Sequence, residues 1–246
     1  MADRLDRIGG VALGRSDSLR RQIYQDLRGR LQRGEIRPDQ RLIDVGLAES
    51  LGVSRMPVRE ALLQLMNEGY LIGTTRGFVL PRLTLDDIAD IFEVRRLLEP
   101  RAAANAARDL DEEGHARLKA ALARAEEARD RQDPVELALA NIAFRDTWTG
   151  AVRNQRLAAT ISRFADHVQV VRFGTLHDTS VQSVVVEGMA DLYDAFIRRD
   201  ALAAQDRMAA FIAEAEKSYF QVHKERSALS PKAKSRPGKR KEVRHV

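Results

Sequence analysis

Ser54, Arg55 and Arg59 fall within the nine residues SRMPVREAL (54–62), and the two arginines stand one helical turn apart. A guanidinium is a flat fork of donors that can address guanine O6 and N7 together, whereas an ammonium offers only a point charge. A serine at a helix start has a hydroxyl and adjacent backbone N–H groups that can meet a phosphate. Further along, Arg76 precedes Gly77 in TTRG, between two short β-prone runs. At a turn tip it is placed to reach a backbone phosphate or a minor groove. Each residue also has a plainer reading. Ser54 serves equally as a cap, and Arg59 as a partner for Glu60 or a neighbouring helix.

The surrounding pattern supplies elements to position these groups. From Ser18, the apolar residues Leu19, Ile23, Leu27 and Leu31 recur every four residues and Gly34 follows, which predicts a first helix. DVGLAESLG predicts a short second helix, with Asp44 as N-cap, Leu47 and Leu51 on one face, and Gly52 as terminator. Ser54 caps a third, whose Val58, Ala61, Leu62, Leu65 and Met66 form one apolar stripe, with Pro57 in the first turn. YLIG and GFVLP joined by TTRG read as a hairpin with Gly77 at or near its turn. Three helices and a hairpin make a winged helix-turn-helix, a geometry that places the N-terminal end of its third helix in a DNA major groove.

Beyond this unit the pattern is helical. Thr84, Asp111, Asp133, Asn154 and Asp200 each precede a long periodic segment as an N-cap, and Pro134 takes a first-turn position. SVVVE also suits a strand, but its neighbours favour helix. The predicted fold is mainly α: a winged helix-turn-helix over 18–82 and an all-helical bundle over 83–222. A flexible arm over 1–17 and a basic, disordered tail over 223–246 flank them.

Residues 19–82, and LGVSRMPVREAL above all, resemble the DNA-binding domain of the GntR family of bacterial transcription regulators. LTLDDIADIFEVRRLLEPRAAANAA resembles the opening of the all-helical effector domain, called FCD, of the FadR subfamily. The first resemblance implies DNA contacts at Ser54, Arg55, Arg59 and Gly77. Val45 departs from it, because relatives often carry a basic residue near the start of the second helix.

The second resemblance implies a divalent metal held by an Asp or Asn and three histidines, which in turn grips an acidic effector. Here the first position is Asn141, but the histidine positions fall on Arg145, Gly188 and Phe211. Neither glycine nor phenylalanine has a ligating side chain and arginine stays protonated, so no family-type metal site and no cofactor are expected. His115, His167, His177, His223 and His245 show no ligand spacing. An inward-pointing Arg145 would instead bind an acid's carboxylate directly, with Asn141 one turn earlier and Arg95 and Arg172 as further candidates. The opposing reading has Arg145 paired with a buried acid or turned to solvent, in a cavity that has decayed.

Charge and composition agree with this division. The net charge of +5 separates into 14 Lys/Arg against 10 Asp/Glu over 1–82, 18 against 24 over 83–222, and 9 against 2 over 223–246. Polyanion attraction thus belongs to the front and the tail, and the acidic middle has another task. The absence of cysteine excludes disulfides and thiolate metal sites, and no apolar run reaches the length of a membrane helix or a signal peptide core. No nucleophile elbow or phosphate loop is present, which argues against an enzyme. The expectation is a cytoplasmic, ligand-responsive regulator, more often a repressor in this family, bound to double-stranded DNA as a homodimer and controlled by a small organic acid. The competing expectation is a DNA-binding protein whose helical domain only dimerises or meets other proteins.

Overall fold

The structure is a computed structural model, and it describes residues 16–37, 39–81 and 83–229; the side chains of 16–17, 165–174 and 225–229 lie outside that description. The first unit comprises α1 (Ser16–Gln32), α2 (Asp44–Leu51), α3 (Arg55–Asn67), β1 (Ile72–Thr74) and β2 (Gly77–Val79). Its core is the predicted stripe set, with Ile23, Leu27, Leu31, Val58, Ala61, Leu62 and Leu65 all buried. β1 and β2 pair antiparallel with Thr74 opposite Gly77. Leu42, just ahead of α2, adds a bridge to Phe78 through two backbone hydrogen bonds, Leu42 N–H to Phe78 O at 2.8 Å and the reverse at 2.9 Å. The wing is therefore tied to the helix that precedes the reading helix.

Two capping expectations are corrected. Ile43, not Asp44, is the N-cap of α2, and Asp44 is its first residue. Its carboxylate is engaged elsewhere, as described below. Ser54 is the N-cap of α3, but its side chain makes no cap hydrogen bond.

The second unit contains α4 (Leu85–Asp109), α5 (Glu112–Asp130), α6 (Pro134–Gly150), α7 (Gln155–Thr175), α8 (Thr179–Ile197) and α9 (Ala201–Leu229). Thr84 and Asp87 cap α4 reciprocally, and Asp111, Asp133, Asn154 and Asp200 each accept a backbone N–H from the first turn that follows. Asp178, which the sequence pattern did not single out, caps α8 in the same way, and SVVVE is helical within it. Alanines 102, 103, 104, 106 and 107 are buried along α4 and let its neighbours approach closely. Helix α4 packs against α7 and α9, and α8 packs against α5 and α9. Phe92, Phe144, Trp148 and Phe196 fill the centre, with the Phe144 and Trp148 rings each 6.5 Å from that of Phe196.

Helix α9 continues to Leu229, past the expected boundary at 222. Tyr219 and Val222 anchor it in the core, and extending an established helix adds one hydrogen bond per residue fixed. The arm up to residue 15 and the tail from 230 lie outside the described residues. Among the described residues, no helix is long and apolar enough to cross a membrane.

Candidate functional site

Helix α3 owes its orientation to both an apolar and a polar seam. Its buried face lies on α1 and α2. At its far end, Arg20 of α1 donates to Gln64, Gln64 donates to Glu68, and the Tyr24 hydroxyl donates to Glu68. These contacts leave the N-terminal end of α3 projecting with Arg55, Met56 and Arg59 exposed.

Arg55 is not loose on that surface. Its Nε donates to Oδ2 of Asp44 at 2.9 Å, while Oδ1 of Asp44 accepts the Val45 N–H. The Asp44 side chain is 13% exposed and that of Arg55 57%, so an anchored carboxylate holds the base of a guanidinium that still reaches out. The Asp44 carboxyl is held below the usual carboxylate range, first by the Arg55 hydrogen bond and further by the charges of Arg55 and Arg59. All three charges therefore belong to one patch. Val45 and Met56, 42% and 64% exposed, add apolar surface to it. Met56 lies off the apolar stripe of α3, and that offset is the signal by which its exposure was readable.

The wing tip is shaped by Gly77, whose φ is +107°. A Cβ there would stand 2.6 Å from the Leu42 carbonyl oxygen, so the glycine has a structural reason independent of any DNA contact. Thr74 closes the turn, donating its hydroxyl to Gly77 O at 2.8 Å and accepting the Arg76 N–H at 3.2 Å. The Arg76 side chain is exposed at the tip.

In the bundle, the sequence candidates Arg95, Asn141 and Arg145 converge on one small cavity of about 20 Å³, with Arg172 outside the described side chains. Arg95 and Arg145 are 3% and 5% exposed. Arg145 thus points inward, with its Nη2 4.0 Å from Asp146 Oδ1. Sequence reasoning missed Glu99. It lies one turn after Arg95 and accepts from Nε at 2.6 Å and from Nη2 at 3.2 Å. An acidic residue four positions after an arginine on a helix was the available signal.

The Phe211 ring occupies the space that any side chain at Gly188 would need. With Arg145 beside Asn141, this set of side chains does not fit a divalent metal, which needs several neutral or anionic donors. Among the described residues, His115 is buried apart from this cavity, His177 is exposed, and His223 stacks on Tyr219 at 4.3 Å.

A family pattern, the FCD domain, matches residues 90–214, and another, bacterial regulatory proteins of the gntR family, matches residues 19–77. The chain belongs to the GntR family. This GntR protein is thus one of a family of DNA-binding transcription regulators, not of enzymes. It is 34% identical over 129 residues to the HTH-type transcriptional regulator McbR of Escherichia coli, a match spanning 52% of this chain and 58% of McbR. It is 24% identical over 216 residues to the transcriptional repressor RspR of the same organism, spanning 87% of this chain and 95% of RspR. The solved structure of E. coli McbR/YncC superposes with a TM-score of 0.72 at 25% identity, covering 83% of this GntR chain and 98% of that one. A regulator from Rhodococcus superposes with a TM-score of 0.69 at 21% identity and shows the same fold.

Proposed function

We propose that this protein is a cytoplasmic repressor that binds a palindromic operator as a homodimer and is released or remodelled by a small organic acid. The observation that carries the DNA half is the exposed Arg55 held on Asp44, with Arg59 one turn on, at the projecting end of α3 in a winged helix-turn-helix. Arg55 and Arg59 read base edges, and Ser54 and the wing, Arg76 with Gly77, meet the backbone or minor groove. Two such heads related by a two-fold axis read two half-sites of opposite orientation. A relative named as a repressor supports the sign of regulation. The acid follows from the buried arginines of the bundle, and it biases the separation of the heads by binding one arrangement better than another.

The test is a salt titration of the purified protein on its own upstream intergenic duplex beside a scrambled one. The reading requires specific binding with two copies of the chain per site. Equal, steeply salt-dependent binding to both duplexes, persisting after removal of residues 223–246, counts against it.

A second reading draws on the cavity volume. At about 20 Å³ it admits a water but no organic acid, as a helical unit serving only dimerisation or protein contacts would have it. A thermal-shift screen with carboxylic acids separates the two.

A further inference from the structure

Large apolar side chains stay exposed at one place that the arginines alone do not explain. Ile43, Val45 and Met56 surround the turn that brings the start of α2 against the start of α3. The Asp44 carboxylate fixes that meeting, accepting from Val45 N–H with one oxygen and from Arg55 Nε with the other. Val45 and Met56 each follow a member of the Asp44 and Arg55 pair, at the second position of their helices. Ile43 is turned differently, because its Cγ1 lies 3.2 Å from where a Cβ of residue 77 would stand, against the wing. Beside Val45 the surface is open, since a Cβ at Gly46 would meet nothing within 4 Å.

Exposed apolar surface beside two arginines has a specific counterpart in DNA. Donors and acceptors line every base edge of the major groove, and the apolar group displayed there is the C5 methyl of thymine. Neither side chain offers a donor to a base edge or a charge to a phosphate, so the methyl is what both can bury against. Position agrees with the chemistry. Met56 follows Arg55 in the first turn of α3, the end that enters the groove, and so lies over the base pair next to the one that Arg55 addresses.

We propose that Val45 and Met56 read the C5 methyl of a thymine in the T·A pair adjacent to the G·C pair read by Arg55. The contact between Asp44 and Arg55 holds α2 and α3 in register, so that one apolar side chain from each helix closes on the same methyl. A cation at position 45 would hold a phosphate; the valine exchanges that sequence-blind contact for one sensitive to a single base. This deepens the reading of the winged helix-turn-helix as the DNA-binding unit, and rests on the assignment of Arg55 to a guanine.

The experiment selects duplexes with the full chain from a random-sequence pool, then replaces each thymine of the selected half-site in turn by deoxyuridine, which removes the methyl and nothing else. Competition binding at constant salt is expected to show one position per half-site, beside the guanine, where deoxyuridine weakens binding about fourfold, the factor equal to about 0.8 kcal/mol for one buried methyl-sized group. Met56→Ser and Val45→Ser lie at exposed positions where folding is little affected. Both are expected to bind the thymine and deoxyuridine duplexes within about twofold of each other. Val45→Arg is expected to lose the discrimination and to steepen the salt dependence by about one unit of log–log slope per chain. Selected half-sites with no thymine beside the guanine, a deoxyuridine change without cost, or a cost undiminished in both serine variants would each overturn the methyl contact. So would use of the patch by a second copy, seen as a change in the mass of free Met56→Ser protein with no deoxyuridine effect. The underlying reading fails separately: a pool that converges on no sequence removes the DNA-reading head itself, and this contact with it.

Discussion

Nε of Arg55 and Oδ2 of Asp44 are joined at 2.9 Å across the turn between α2 and α3. The contact uses one of arginine's five donors and leaves the fork itself for a base. Asp44→Ala frees the side chain, and ordering it again on DNA costs about 2- to 10-fold in specific affinity. The same change removes a negative charge from the patch and raises nonspecific affinity. The ratio of specific to nonspecific binding is therefore the quantity to measure, and it should fall. The carboxyl is lowered on folding, so the ion pair is intact above the ordinary carboxylate pKa of about 3.9 and is lost only as pH falls through the lower folded value. Specific binding should show no titration from this pair across roughly pH 5 to 8.

Arg59→Ala should lose about 1 to 3 kcal/mol at the operator while most binding to random duplex survives. A loss of equal size on both duplexes would assign Arg59 to phosphate. Competition binding at constant salt distinguishes these outcomes.

Two glycines with positive φ should respond differently to alanine. Gly52 has φ +64° and open space where a Cβ would stand, so Gly52→Ala should cost only the left-handed backbone, about 1 to 2 kcal/mol. Gly77→Ala adds a collision with the Leu42 carbonyl, 2.6 Å away, and should cost more. Urea unfolding of the two variants side by side measures the difference, and equal losses would mean that the wing gives way freely.

Charge reversal of burial sets another contrast. Glu99→Ala strands Arg95 in the core and should destabilise by about 3 to 5 kcal/mol. Glu113→Ala breaks a pair with Arg117 whose side chains are 77% and 55% exposed, and should stay within about 1 kcal/mol. Thermal unfolding of both variants provides the comparison.

Helix existence, the wing and the stripe that buries Val58, Ala61, Leu62 and Leu65 were legible in the sequence, because periodicity and caps are local properties and a stripe has only one way to be buried. The family resemblance, and with it DNA binding, was legible in LGVSRMPVREAL. Tertiary structure alone decided what the polar residues do. Asp44 read as a cap because acids commonly stand there, yet Arg55 folds back over eleven positions to claim it. Glu99 was not singled out by the sequence pattern, and only packing by α6, α8 and α9 encloses it with Arg95. Gly188 and Phe211 read as two lost ligands, and only the approach of α8 to α9 shows one filling the space left by the other. A side chain's type and spacing are written along the chain, whereas its partner is set by which distant element arrives beside it.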